Sequence, residues 1–209
     1  LGFQVSDEVK ITSVTGYYNM DLKNGANFTL ANVPAYILGS ILALKIEEIS
    51  QELRLQTDID GPINFMVGGQ YQKSRAQSAS MAAFGANAGQ PSLFGPARPS
   101  PFIAAQYYLD QRGRAYCVFT QVQIKPIEEL EISAGARLSS ETKRLLSVIN
   151  FNTELVGRNP QLSNGRNKRD FDDFSPEITV SYRPNNNLTG YVTYKQGFLS
   201  GGFNGGSFN

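Results

Sequence analysis

Two neighbouring segments, YCVFTQVQI (residues 116–124) and LEISAGARL (residues 130–138), lie on either side of a short polar connection, KPIEE (residues 125–129). In both segments every second residue is apolar or aromatic apart from one threonine, and the residues between them are mostly polar, charged or small. Because residues two apart lie on the same face of a strand, each segment predicts a strand with one apolar and one polar face. The pair predicts a β-hairpin.

The same alternation predicts about seven strands in all. The other five segments are residues 9–18, 49–56, 63–72, 177–182 and 189–195. Two kinds of connection between the strands alternate along the chain. The short polar turns are residues 5–8, 58–61, 125–129 and 183–187, and the long inserts are residues 21–47, 74–112 and 144–173. Nearly all of the strands are long enough for the roughly 9–11 residues that a tilted transmembrane strand needs.

Short turns at one end of the strands and long loops at the other are typical of an outer-membrane β-barrel. Alternating polarity also fits a soluble sandwich, but structureless inserts this long are uncommon inside compact domains. Tyrosines near the predicted strand ends favour an aromatic girdle on the apolar face: Tyr17, Tyr71, Tyr116, Tyr182 and Tyr194. We therefore predict an all-β fold, an antiparallel transmembrane β-barrel segment with short periplasmic turns and long extracellular loops.

Composition argues against several classes of function. The chain has 209 residues and a net charge of +1, so it lacks the concentrated basic face that nucleic-acid binding requires. It contains no histidine, the commonest general base and metal ligand. Asp172 and Asp173 are adjacent and point to opposite faces of an extended chain, which disfavours a metal or acid–base pair. We expect no catalytic residues, no metal and no cofactor, and we interpret the single Cys117 as structural.

The most apolar stretch, Phe28 to Leu44, is shorter than the roughly 20 residues of a transmembrane helix and contains Pro34 and Gly39. It is interpreted as part of a loop. The chain begins at Leu1 within strand-like sequence and ends abruptly at Asn209, so we expect it to be an internal piece of a longer protein.

Two groups of residues are candidates for functional sites. Loops commonly carry binding residues, and the ligand-binding candidates in the second long insert are Phe94, Arg98, Tyr107 and Tyr108. A second group comprises charged residues on the polar faces of the strands, which a barrel would direct into its lumen: Glu52, Arg54, Glu131, Arg137, Glu177 and Lys195.

Four segments, in order, resemble the barrel of TonB-dependent outer-membrane receptors. Residues 191–204, YVTYKQGFLSGGFN, resemble strands of that family that read Tyr-x-x-Tyr-x-x-Gly-Phe-Lys-x-Gly-Gly-Phe-Asn. The others are TSVTGY (residues 12–17), ISQELRL (residues 49–55) and AGARL (residues 134–138) with Glu141. Leu199 departs from the pattern, because the family often has lysine there, and the long inserts match no particular substrate class.

The resemblance implies a 22-stranded barrel that encloses a plug domain, in the outer membrane of a Gram-negative bacterium. Residues 1–209 would be part of that barrel, and the plug and the remaining strands would be absent. Such receptors import siderophore-bound iron, cobalamin, carbohydrates or similar scarce nutrients with energy from the TonB complex. The implied partners are therefore the TonB complex, acting through the plug, a small-molecule or metal-chelate ligand, and outer-membrane lipid. We expect the six lumen-facing charges to pair with one another or with the plug.

Three other classes of function remain open from the residues alone. A passive porin-type channel would share the strands and loops but lack the plug. A soluble secreted β-sandwich, acting as a binding module or adhesin, would bury the apolar faces against a second sheet. An enzyme is the weakest alternative, because no nucleophile–base pair is visible.

Overall fold

A computed structural model describes residues 1–27, 39–84, 102–151, 163–185 and 187–203. Within them, eight strands form one antiparallel sheet in which each strand pairs with its neighbours in sequence. The strands are β1 (Gly2–Ser6), β2 (Val9–Asn27), β3 (Gly39–Thr57), β4 (Ile63–Phe84), β5 (Phe102–Ile127), β6 (Leu130–Phe151), β7 (Ser163–Asn185) and β8 (Leu188–Lys195). The predicted all-β antiparallel class is confirmed. No helix in these ranges is long and apolar enough to cross a membrane.

The predicted alternation of short and long connections is also confirmed. At one end of the strands the connections have only a few residues: 7–8, 58–62, 128–129 and 186–187. At the opposite end the connections are residues 28–38, 85–101 and 152–162, which lie outside the described residues. We call the end with the short turns the lower end of the sheet and the opposite end the upper end.

The strands are more numerous and much longer than predicted. The sequence indicated about seven strands, but β1 adds an eighth; its five residues are too few to show a clear alternation. The three long inserts were placed too broadly, because β2 to β7 run through much of residues 21–47, 74–112 and 144–173. These strand ends were missed because their two faces differ little in polarity.

The lower part of the sheet has an uncharged face, which we call the apolar face. It is formed by alternate residues within seven segments, named together the apolar band: residues 9–17, 49–57, 63–71, 116–124, 130–138, 174–182 and 188–194. Six of these segments are nine residues long. This length matches the roughly 9–11 residues with which a tilted strand crosses a bilayer.

Strand pairing brings these segments into line. Tyr17 pairs with Ile49 across β2 and β3, and Tyr71 pairs with Tyr116 across β4 and β5. Between β3 and β4, however, Ile49 lies opposite Lys73, two residues above the top of the band in β4. The same two-residue offset recurs between β5 and β6. A shift of about 7 Å for every 10 Å of sheet width corresponds to a strand tilt of roughly 35°, as in outer-membrane barrels.

Four of the five tyrosines of the predicted girdle lie at the limits of this band, whereas Tyr194 pairs with Ile178 in the middle of the β7 segment. Tyr17, Tyr71 and Tyr116 mark its upper limit, and Tyr182 marks its lower limit. The rings of Tyr71 and Tyr116 are in contact, with centroids 5.0 Å apart. Above Tyr17 the strand β2 continues for another ten residues, to Asn27. The tyrosines therefore indicate where the strands leave the apolar zone.

The described residues form no conventional hydrophobic core. None of their large side chains is fully buried, and the buried hydrophobic residues are only Cys117, Leu145 and Ile149. Leu53 and Val118, in the apolar band, are 56% and 59% exposed. Since no second sheet covers this face in the described part of the chain, the β-sandwich alternative is excluded there. An apolar face of this kind is stable when lipid covers it.

Candidate functional site on the polar face

The opposite face of the sheet carries the six charged residues that the sequence singled out. All of them lie within about ten residues of the short turns, at the depth of the apolar band: Glu52, Arg54, Glu131, Arg137, Glu177 and Lys195. At the same depth the apolar face of the described residues carries no charge. This asymmetry indicates lipid on one side and a hydrated or protein-filled space on the other, because charge is costly against hydrocarbon.

Five of the six charges form ion pairs. Arg54 lies 3.3 Å from Glu52 on the same strand, and Lys195 lies 2.9 Å from Glu177 across β7 and β8. Glu131 forms an ion pair with Arg183 at 3.3 Å and a longer one with Lys125 at 3.9 Å. These side chains remain partly exposed, so each pair is expected to contribute at most about 1 kcal/mol.

Arg137 is the exception among the six. Its guanidinium donates from Nη2 to Gln70 Oε1 at 3.3 Å and from Nε to Ser139 Oγ at 3.2 Å. Both acceptors are neutral, and in the described part of the chain Arg137 has no acidic partner within ion-pair distance. Its side chain is exposed. Arg137 therefore retains donors for a ligand or a protein segment in front of the sheet.

Arg137 lines a cavity of about 590 Å³ on this face. The other lining residues include Gln70, Phe119, Gln121, Glu141, Glu177 and Lys195. Phe119 lies close to the backbone of Gly68, where an added Cβ would come within 2.4 Å of the ring. The glycine thus allows an aromatic ring to form part of the wall. A surface with an aromatic ring, amides and both signs of charge can bind a polar solute or a folded protein segment.

Cys117 also lines this cavity and is only 6% exposed. Its Sγ lies 3.8 Å from Gln70 Oε1, and the sequence contains no second cysteine. The geometry agrees with a structural thiol. Within the described ranges, no cluster of three or more cysteine, aspartate or glutamate side chains could hold a metal ion.

The segment that follows β8 closes one side of the cavity. Residues 196–203 do not continue as a strand, in agreement with the predicted end of the last strand at residue 195. Lys143 Nζ donates to Ser200 Oγ at 2.8 Å and to the carbonyl of Gly201 at 2.9 Å, and it also lies 5.7 Å from the centre of the Phe171 ring. Lys143 and Ser200 were not predicted, because no local pattern joins residues so distant in sequence.

The predicted loop candidates have a different outcome. Phe94 and Arg98 lie outside the described residues. Tyr107 and Tyr108 are not in a loop: both belong to β5, and as neighbours in a strand they point to opposite faces. Tyr108 accepts a hydrogen bond from Gln77 Nε2 at 2.9 Å. The two tyrosines therefore cannot contact one ligand from the same face.

The tilted single-layer sheet, with its uncharged band and charged reverse face, has the geometry of the wall of an outer-membrane β-barrel. Comparison with known families agrees with this class. The family described as "TonB dependent receptor-like, beta-barrel" matches residues 2–209, so the chain belongs to the TonB-dependent receptor-like β-barrel family. This is a family of transport receptors rather than enzymes, found in the outer membrane of Gram-negative bacteria.

Solved structures that are similar in fold include two receptors. The ferric yersiniabactin uptake receptor FyuA from Yersinia pestis aligns with a TM-score of 0.71 and 13% identity, over 90% of this chain and 26% of that one. The siderophore receptor PiuA from Acinetobacter baumannii aligns with a TM-score of 0.65 and 15% identity, over 93% of this chain and 30% of that one. The chain thus spans less than a third of the length of either receptor.

Proposed function

We propose that this chain is part of the barrel wall of an outer-membrane receptor that imports a scarce nutrient with energy from the TonB complex. Membership of the receptor family supports the proposal, as does the match between the apolar band and the thickness of a bilayer. Residues 1–209 would then be a partial barrel domain. The plug, the remaining strands and the contact with TonB would lie elsewhere in the protein.

The observation that carries the proposal is the position of Arg137. It lies on the polar face at membrane depth, bonded only to neutral groups of the described sheet. A charged donor at this depth is favourable only where water or another protein segment faces it. A plug would supply acceptors for Arg137, and an energy-driven movement of the plug would break those bonds and open a path.

The nutrient is proposed as a small polar molecule or metal chelate. Ferric siderophores are the first probe, because FyuA and PiuA, two receptors of similar fold, carry ferric-siderophore uptake or siderophore functions in their names. Cobalamin and oligosaccharides are the next. The cavity beside Arg137 offers hydrogen-bond donors and acceptors suited to any of these classes.

The test compares uptake of each labelled nutrient by cells with the receptor, without it, and with the receptor but no functional TonB. We expect the uptake of one nutrient class to be lost both in cells without the receptor and in cells without functional TonB. Uptake that is unselective, limited only by solute size and independent of TonB would contradict the proposal and favour a passive porin-type channel.

A second test addresses the plug directly. Replacing Arg137 by leucine should weaken retention of the plug and raise the passive leak of small solutes through the purified receptor in vesicles. Arg166→Leu is the matched control, because Arg166 is exposed on the other face of the sheet, far above the apolar band. An unchanged leak in Arg137→Leu would count against the role of this residue.

A further inference from the structure

A second cavity lies on the opposite face of the sheet, immediately above the apolar band. It has a volume of about 690 Å³, and Tyr17, Ile49 and Tyr116 from the top of the band contribute to its lining. Six basic side chains also line it, which we name the outer cationic cluster: Lys73, Arg75, Arg112, Arg114, Arg144 and Lys168. Because these residues share the face of the apolar band, they point away from the proposed barrel interior.

Strand pairing places these cations directly against one another. Arg75 pairs with Arg112, Arg112 with Arg144, and Arg144 with Lys168, so one row of four cations crosses β4, β5, β6 and β7. One step lower, Lys73 pairs with Arg114. Like charges directly opposite each other destabilise a sheet. Negative charge close to these two rows of cations is therefore needed to offset their mutual repulsion.

The described residues supply only part of that negative charge. Asp110 binds both Arg75, at 2.8 Å, and Arg112, at 3.1 Å. Asp170 binds Lys168 at 2.8 Å. Among the described residues, the other three cations, which are Lys73, Arg114 and Arg144, have no acidic partner within ion-pair distance, and all three are exposed.

The acidic residue that β3 contributes to the lining on this face, Glu47, is already engaged. Glu47 lies 2.7 Å from Lys45, outside the cluster. The height of the cluster is the second part of the argument, because Lys73 and Arg114 follow Tyr71 and Tyr116 by one step on the same face. Tyrosines at the limit of an apolar band mark the boundary with the lipid headgroups.

We propose that the outer cationic cluster binds the phosphate groups of a phosphorylated lipid of the outer leaflet. Arginine matches phosphate with two parallel hydrogen bonds, and each basic residue near an anionic membrane surface contributes about 1 kcal/mol. Lipid phosphate would supply the missing negative charge to the opposed cations at the height where phosphate occurs. The inference rests on the membrane placement of the apolar band and does not depend on which nutrient is transported.

The test uses the complete receptor in detergent micelles and measures binding of lipid A that carries two phosphates. Arg114→Gln combined with Arg144→Gln removes two uncompensated cations. We expect the affinity of this double variant to fall by about 10- to 30-fold, and the affinity of the native receptor to decrease as salt is added. The charge-conserving pair Arg114→Lys and Arg144→Lys should lose much less.

The matched control is Lys23→Gln combined with Arg166→Gln. These residues are also exposed on the same face above the band, but they do not line the cavity. Equal losses in the two double variants would overturn the proposal, since only general charge would then matter. Equally strong competition by inorganic phosphate would also overturn it, because the occupant would be a soluble anion. Heat-dependent electrophoretic mobility checks folding, and the lysine pair provides the comparison if the glutamine pair does not fold.

Discussion

The apolar band and the sheet above it are built from the same strands, yet different surroundings shape them. In β3, Leu53 lies in the middle of the band and Ile41 lies twelve residues further up the same face. Both side chains are about half exposed. On this face the neighbours of Leu53 are uncharged, whereas the charged residues Glu47 and Lys45 lie between the band and Ile41.

The comparison shows that a continuous strand need not have a continuous environment. Nine residues of β3 suffice to cross the hydrocarbon at the tilt found here, but the strand has 19. The remaining residues keep their backbone hydrogen bonds and project beyond the bilayer, where both faces meet water, loops or lipid headgroups. Side-chain polarity then stops alternating, while the strand itself continues.

The largest predicted effect distinguishes these two zones. Leu53→Arg places a charge at mid-depth against lipid and should destabilise the receptor by about 2–4 kcal/mol, whereas Ile41→Arg should cost about 1 kcal/mol or less. Unfolding of the complete receptor by denaturant in phospholipid vesicles measures both. Equal losses for the two variants would show that the band is not the lipid-facing zone.

The second-largest predicted effect concerns the part of the sheet above the apolar band. Asp110 is only 6% exposed and accepts hydrogen bonds from Arg75 and Arg112. Asp110→Asn should cost about 1–2 kcal/mol, less than for a fully buried pair because both arginines are partly exposed. Thermal unfolding of the receptor in detergent measures the loss. Asp172→Asn, at an exposed position in β7 without an ion pair among the described residues, should have almost no effect.

The ion pairs of Asp110 with Arg75 and Arg112 also make the stability of the receptor depend on pH. The hydrogen bond from Arg75, and to a lesser extent that from Arg112, holds the pKa of the Asp110 carboxyl below its ordinary value of 3.8. Because the pKa is lowered on folding, the stabilisation is complete above pH 3.8 and is lost as the pH falls through the lowered value. The difference in stability between the native receptor and Asp110→Asn should therefore shrink only in strongly acidic solution. A difference that already disappears near neutral pH would contradict this assignment.

The smallest predicted effect lies on the polar face. Lys195 and Glu177 form an ion pair at 2.9 Å, but their side chains are 66% and 38% exposed. A double-mutant cycle with Lys195→Gln and Glu177→Gln should give a coupling of about 0.2–1 kcal/mol, decreasing with added salt. A coupling several times larger would mean that the surrounding protein excludes water from this pair.

The contrast between the zones also explains how far the sequence could predict the fold. The β5–β6 hairpin was predicted because lipid and the barrel interior impose opposite polarity on residues such as Val118 and Gln121. Tyr107 and Tyr108 were assigned to a loop because they lie above the band, where no such alternation is required. Strand β1 was too short to reveal a pattern.

The candidate site was predicted in its residues but not in its contacts. The alternation placed Arg137 on the polar face, yet its bond to Gln70 joins residues 67 positions apart. That bond depends on the register of β4, β5 and β6 together. The outer cationic cluster likewise becomes visible only when strand pairing sets Arg75, Arg112, Arg144 and Lys168 in one row. Local periodicity carries no information on register between distant strands.

Accessibility scanning along β3 tests the central claim most directly. Single cysteines would be introduced from Gly39 to Thr57 in a receptor lacking Cys117, and each would be probed with a lipid-soluble quencher and a water-soluble reagent. We predict that from Ile49 to Thr57 odd-numbered positions face lipid and even-numbered positions face water, and that this alternation disappears from Glu47 upward. Uniform water accessibility along the whole strand, or lipid contact that continues to Ile41, would contradict the account.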